Sequence, residues 1–186
     1  MEKSGNNLMS YLAKFTSRDL LYIAVMSALG LAIKPVVTPL VHLISAPLLI
    51  PGGSLAGGLY LLWMVLLICL VRKSGAALLM GIAQALVMVG LGYFGSHGAV
   101  SLISYTLPAL VLEFVWLILH NPESPVTHVI LCASANMTGA MIVAWLVMRL
   151  PLLPTLLSLT AAAVSGIIGG ILSHKIYQEL KQYRLI

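Results

Sequence analysis

Six stretches of mostly apolar residues, each close to twenty residues long, follow one another along this chain of 186 residues. A helix needs about 20 such residues to cross the hydrocarbon core of a bilayer. Hydrophobic residues make up 60% of the chain and charged residues only 8%, which is too little charge for a surface exposed to water. The sequence therefore predicts an all-α integral membrane protein with six transmembrane helices. The predicted spans are 19–38, 55–71, 75–94, 99–119, 126–149 and 153–175.

The positions of the basic residues predict how these helices are oriented. With six spans, eight of the ten Lys and Arg residues fall on the side of the termini, and two fall on the other side. Basic residues concentrate in cytoplasmic loops, so both termini are expected in the cytoplasm of a multi-pass protein of a bacterial plasma membrane. This orientation also explains the net charge of +5 without a nucleic-acid partner. The two groups are Lys3, Lys14, Arg18, Arg72, Lys73, Lys175, Lys181 and Arg184 on one side, and Lys34 and Arg149 on the other.

A seventh apolar segment, 40–51, is too short to cross the membrane and is bounded by Pro39 and Pro51. We expect it to form part of an outer lid, or a re-entrant segment, because irregular backbone in a membrane must be covered by protein. The chain then has one transmembrane domain between two short cytoplasmic segments. The predicted boundaries are 1–18 for the N-terminal segment, 19–175 for the domain, 36–54 for its lid and 176–186 for the tail.

Small residues form stripes on two of the predicted spans. In the first span Ala24, Ala28 and Ala32 recur every four residues, which places them on one helical face. Small side chains let helices approach closely in a membrane. The stripe therefore indicates either packing within this protein or docking of a partner helix. The sixth span has two similar stripes, formed by Ala161, Ser165, Gly169 and Ser173 and by Ala162, Gly166 and Gly170.

Polar and aromatic residues within the spans are the candidates for binding a solute. Glu113 is the one acidic residue deep in a span, where a carboxylate is costly unless it is paired or faces a cavity. It is either a ligand contact or a neutral carboxyl group bonded to a neighbouring helix. Gln84 and Asn136 are either ligand contacts or interhelical hydrogen bonds. Tyr60 and Trp63, one helical turn apart, could enclose a flat ring together with Tyr105.

Two histidines are predicted on the outer face, His42 in the lid and His97 in a Gly-rich turn. They either close over a ligand or are ordinary loop residues. The complete set of predicted substrate-binding residues is Glu113, Trp63, Tyr60, Gln84, Tyr105, Trp116, Asn136, His42 and His97.

Sequence motifs for catalysis and metal binding are missing from the chain. It has no P-loop, no H-E-x-x-H and no nucleophile elbow. Cys69 and Cys132 lie inside apolar runs without metal-ligand spacing. We therefore predict no enzyme activity, no catalytic residue, no metal site and no cofactor. Any uphill transport would take its energy from another subunit.

The six spans, the cytoplasmic termini, the lid and the stripe of Ala24, Ala28 and Ala32 resemble the S components of bacterial energy-coupling factor (ECF) vitamin transporters. The resemblance covers nearly the whole chain. It implies that the alanine stripe docks on a transmembrane T component and that two ATPase subunits supply the energy. It also implies that the chain captures a vitamin or a vitamin precursor at its outer side.

Within this family, residues 51–63 and 72–77 look like the branch for thiamine and its hydroxymethylpyrimidine precursor. The similar features are the helix with Gly58, Tyr60 and Trp63, the basic turn followed by Gly-Ala-Ala, and an acid like Glu113. That branch tends to have acids in the third span, where this chain has Gln84. A neutral aminopyrimidine would need less negative charge than thiamine.

The sequence thus predicts a high-affinity substrate-binding subunit of an ECF-type ABC importer, with thiamine or hydroxymethylpyrimidine favoured. A self-contained carrier or channel is the second reading, although the spans offer little polar lining beyond Glu113. A membrane assembly subunit without a ligand is the third, because small-residue stripes fit it equally well. An integral-membrane enzyme is the least favoured reading.

Overall fold

A computed structural model describes residues 13–48, 50–90 and 100–183 of the chain. These residues form helices joined by short connections, and the last helix is preceded by a π-helical turn at Val143–Val147. The helices are α1 (Ser17–Ala32), α2 (Lys34–Ser45), α3 (Gly52–Val71), α4 (Ala76–Gly90), α5 (Ser101–Leu119), α6 (Pro125–Ile142) and α7 (Leu152–Gln182).

The predicted all-α membrane fold is confirmed. In the described ranges, five helical stretches are long and apolar enough to span a membrane, and α4 is a shorter apolar helix. Large apolar side chains cover the outside of the bundle, as a lipid-facing surface requires. Examples are Leu21, Val36, Phe114, Ile118 and Leu153.

The first predicted span ends earlier than expected. Helix α1 ends at Ala32 rather than near residue 38, and Lys34 begins a separate helix after Ile33. Pro35 fits the first turn of α2, because the first turn has free N–H groups and proline lacks one. The predicted lid is therefore largely helical. Helix α2 packs mainly on α3 and exposes Val36, Leu40 and Leu43 on its other side.

Glycines let α3, α6 and α7 approach to backbone contact. A Cβ atom on Gly169 would lie 2.3 Å from the carbonyl oxygen of Gly58, and one on Gly166 would lie 2.4 Å from the Cα of Ala133. Ser165 Oγ accepts a hydrogen bond of 3.0 Å from the N–H of Gly58. The small-residue stripes of the sixth predicted span therefore serve packing within the chain, apart from the half-buried Ala161.

Polar contacts join the helix ends at one end of the bundle, here named the basic end after Arg72, Lys73 and Lys181. Arg72 donates a hydrogen bond of 2.6 Å to the hydroxyl of Tyr177, which donates one of 3.1 Å to Glu123. Lys181 donates to the other oxygen of Glu123 at 2.8 Å. This hydrogen bond from Lys181 is the main reason that the pKa of Glu123 is lowered.

Candidate functional site

At the end of the bundle opposite the basic end, four side chains from three helices form a polar and aromatic cluster. We name it the Lys34 cluster: Lys34 and Thr38 of α2, Tyr60 of α3 and Tyr105 of α5. The ammonium group of Lys34 donates a hydrogen bond of 2.6 Å to the hydroxyl of Tyr105. It also lies 3.9 Å from the ring centroid of Tyr105 and 5.3 Å from that of Tyr60. The hydroxyls of Thr38 and Tyr60 are 3.0 Å apart.

These contacts connect α2 to the bundle at the position where the sequence predicted a flat ligand between aromatic rings. Two of the predicted binding residues, Tyr60 and Tyr105, meet around Lys34. A cation over two aromatic rings is stabilised by the negative faces of those rings. A solute that binds here must exchange contacts with Lys34 and Thr38, so α2 is the element that has to adjust.

One more predicted residue, Gln84, adjoins the Lys34 cluster, and Trp63 follows Tyr60 on α3. A Cβ atom placed on Gly30 would lie 2.7 Å from Nε2 of Gln84 and 3.5 Å from the carbonyl oxygen of Tyr60, so both residues lie against Gly30. Gln84 donates a bond of 3.3 Å to the carbonyl oxygen of Ser27. Trp63 lies one turn beyond Tyr60. Its indole N–H is buried and has no hydrogen-bond partner among the described residues.

Glu113 and Trp116 lie nearer the basic end. They follow Tyr105 on α5 by eight and eleven residues, which corresponds to about 12 and 16 Å along the helix axis. Oε1 of Glu113 accepts hydrogen bonds of 2.8 and 3.4 Å from the N–H groups of Ala77 and Leu78. These groups belong to the first turn of α4, whose N–H groups have no partners within that helix. Glu113 therefore caps α4.

Asn136, His42 and His97 are not part of the Lys34 cluster. Asn136 donates a bond of 2.9 Å to the carbonyl oxygen of Ala162 and lies against Gly57. His42 is an exposed residue of α2, close to Gly52. His97 lies outside the described residues. The ligand-binding roles predicted for these three residues remain predictions.

The alanine stripe of α1 faces away from the bundle. Ala24, Ala28 and Ala32 are all exposed, whereas Ile23 and Met26 of the same helix are buried. Packing within the described part of the chain therefore does not account for this stripe. Leu21 and Val25, also exposed on α1, give the surrounding surface an apolar character.

Comparison with known proteins identifies the family of the chain. Residues 18–141 match the family model described as "ABC-type cobalt transport system, permease component". The chain belongs to this family. A search of curated proteins and a search of solved structures each found no match.

Membership in the ABC-type permease family makes this chain a multi-pass membrane component of an ABC-type importer related to the energy-coupling factor class. Such a permease component works in the lipid bilayer together with ATPase components. Within the ranges that the structure describes, no group of three or more His, Cys, Asp or Glu side chains is placed to hold a metal ion.

Lys34 is the site residue that sequence reasoning missed in this permease. The charge pattern assigns it only to the outer side of the membrane. The signal is nevertheless present, since Lys34 lies inside the predicted first span, 19–38, where an ionisable residue is by default a functional hypothesis. Thr38 was missed as well, and nothing in the sequence distinguishes it from other threonines near helix ends.

We expect Glu113→Leu to lower the free energy of unfolding by about 1–3 kcal/mol, because it leaves the N–H of Ala77 buried without an acceptor. Glu113→Gln keeps an acceptor at the same position and should cost less than the leucine variant. Unfolding of both variants in detergent, followed by circular dichroism, measures the difference. A loss of at least tenfold in solute affinity for Glu113→Gln, with unchanged stability, would instead assign the carboxyl group to the ligand site.

Proposed function

We propose that this chain is the substrate-binding subunit, or S component, of an ECF-type ABC importer. In this proposal it captures a small planar solute at the Lys34 cluster and hydrolyses no ATP itself. The T component and two ATPase subunits of the importer would supply the energy. The plasma membrane of a bacterium is the corresponding location.

One observation carries this proposal: the polar side chains of the Lys34 cluster are followed by a packed apolar core. Toward the basic end, Val65, Leu67 and Ile68 of α3 are fully buried, as are Leu112 of α5 and Leu131 of α6. A carrier or channel needs a polar path from one side of the membrane to the other. A site that ends at a packed core is better suited to capture than to conduction, and release would require partner subunits.

The exposed stripe of α1 supports a partner in the membrane. Close approach of helices in lipid depends on small residues, and Ala24, Ala28 and Ala32 present a smooth face outside the bundle. In the proposed assembly this face contacts the T component. The stripe also fits an assembly subunit without a ligand, but that reading leaves the Lys34 cluster unexplained.

A flat heterocycle fits the chemistry of the cluster. Tyr60 and Tyr105 provide aromatic faces, and Gln84 with the free indole N–H of Trp63 can bond to the edge of a ring. Thiamine and its hydroxymethylpyrimidine precursor are the favoured solutes, on the resemblance of residues 51–63 and 72–77. Cobalt is the second candidate substrate, and the description of the matching family is the observation that favours it.

Native mass spectrometry of the purified chain, before and after incubation with thiamine, hydroxymethylpyrimidine and CoCl₂, tests the proposal. We expect one organic molecule to remain bound, and we expect no uptake into liposomes that contain the chain alone. Cobalt bound without any organic ligand would replace the proposed substrate class. Uptake by the chain alone, driven by an ion gradient, would overturn the S-component proposal.

A further inference from the structure

The charge of Lys34 has no acidic partner in the part of the chain that the structure describes. The sequence contains five acids, and no acid occurs between residues 20 and 112. The four described acids lie toward the basic end. Asp19 pairs with Lys73, and Glu123 pairs with Lys181. Glu113 of α5 accepts hydrogen bonds from the first turn of α4, and Glu179 lies near the end of α7.

Hydrogen bonding leaves part of the ammonium group available. A lysine ammonium has three N–H donors. Tyr105 is the one hydrogen-bond acceptor that the described residues offer to Lys34. The faces of the Tyr105 and Tyr60 rings supply the remaining stabilisation. An acceptor atom from a solute would therefore gain a charged donor that is already positioned.

Further donors are found on the helices that carry the Lys34 cluster. One turn beyond Tyr60 on α3, the indole N–H of Trp63 is buried and lacks a partner in the described ranges. A buried N–H without an acceptor is costly, so its position suits a ligand that brings one. The hydroxyls of Tyr60 and Thr38 can each donate as well as accept. The cluster thus offers the ammonium group of Lys34 and several neutral donors to a solute.

We infer that Lys34 determines which solutes this site accepts, and that it selects a neutral or anionic planar heterocycle with acceptor atoms over a cationic solute. The inference rests on the proposed function, because it assumes that the Lys34 cluster is the capture site. Its physical basis is repulsion between like charges, which is strong where water is excluded. By this reasoning thiamine, which carries a thiazolium charge, and Co²⁺ are both disfavoured, and an uncharged aminopyrimidine is favoured.

The most direct test compares two ligands of the same size that differ in charge. Thiamine and its neutral thiophene isostere share the aminopyrimidine ring, so their ratio of dissociation constants reports the charge alone. Isothermal titration calorimetry on the intact protein in detergent should give at least tenfold tighter binding of the isostere, about 1.4 kcal/mol. Hydroxymethylpyrimidine should bind as well, and CoCl₂ should not displace it.

Lys34→Met should remove this discrimination. We expect hydroxymethylpyrimidine to bind at least tenfold more weakly to the variant, and thiamine to bind as tightly as to the wild type or more tightly. Lys175→Met, which removes an exposed lysine of α7 near the basic end, is the matched control and should leave all the dissociation constants unchanged. A purely structural role for Lys34 would weaken all ligands together.

The outcomes separate this inference from the proposed function. If the wild type binds thiamine at least as tightly as its neutral isostere, the inference is wrong and the capture role stands. If the wild type binds none of the organic probes, the proposed function fails and the inference fails with it. The comparison of the two isosteres uses the wild type, so it decides the question even if Lys34→Met does not fold.

Discussion

Ala28→Trp should abolish solute uptake by the importer while solute affinity stays within about twofold of wild type. Ala28 is in the middle of the exposed stripe of α1, and the buried face of that helix is formed by other residues such as Ile23 and Met26. An indole ring on the stripe would hold a partner helix away without disturbing the bundle. Co-purification with the proposed T component and uptake in cells that express all subunits are the two measurements.

Leu117→Trp is the matched control for this experiment. Leu117 is an exposed residue of α5, on a different helix from the stripe. A tryptophan there should leave both co-purification and uptake intact. If Ala28→Trp lost stability and ligand binding together, the stripe would serve packing within the chain. If uptake survived in Ala28→Trp, the proposed docking face would be wrong.

Gly169→Leu should prevent the bundle from folding, and Gly169→Ala should destabilise it by about 1–3 kcal/mol through overpacking. Even a single Cβ atom at this position would lie 2.3 Å from the carbonyl oxygen of Gly58. Backbone atoms cannot move aside as a flexible side chain can, so α7 would have to separate from α3. Size-exclusion profiles and thermal unfolding in detergent measure the effect.

Gly53→Ala is the control for Gly169→Ala, because it makes the same substitution at a position without a close backbone contact. Gly53 lies in the first turn of α3, and a Cβ atom there would meet nothing within 4 Å. We expect this variant to be neutral, or more stable by up to about 1 kcal/mol, because alanine restricts the unfolded chain more than glycine. Equal losses of stability at Gly53 and Gly169 would show that the close packing of α3 on α7 is not the cause.

The sequence was sufficient to predict an all-α membrane fold, because a long apolar segment can adopt few backbone structures in a membrane. It was less reliable at the boundary between α1 and α2, where Ile33 alone separates the two helices. The apolar pattern continues through Ile33, so the boundary between α1 and α2 depends on Pro35 and on packing rather than on hydropathy. Similarly, α7 continues to Gln182, beyond the predicted residue 175, because its last turns pack on neighbouring helix ends.

The candidate site was only partly predictable, for a related reason. Tyr60 and Tyr105 were identified as aromatic residues within spans, and both belong to the Lys34 cluster. Their meeting with Lys34 depends on how α2 packs on α3, which no local pattern encodes. Glu113 is recognisable in the sequence as an unusual acid within a span. Its contact with the N–H of Ala77, however, depends on how far α4 and α5 are shifted relative to each other along their axes.

Helix α7 indicates how deeply the protein lies in the bilayer. Its 31 residues correspond to a length of about 46 Å, compared with about 30 Å for the hydrocarbon layer. Lys175 and Lys181 lie in the final turns, so the excess length extends among headgroups and water, together with the ion pairs of Glu123. Dissolved ions screen such half-exposed pairs over about 8 Å. A change in ionic strength should therefore alter the strength of the ion pairs at the basic end, and it should hardly affect the uncharged glycine contacts at the centre of the bundle.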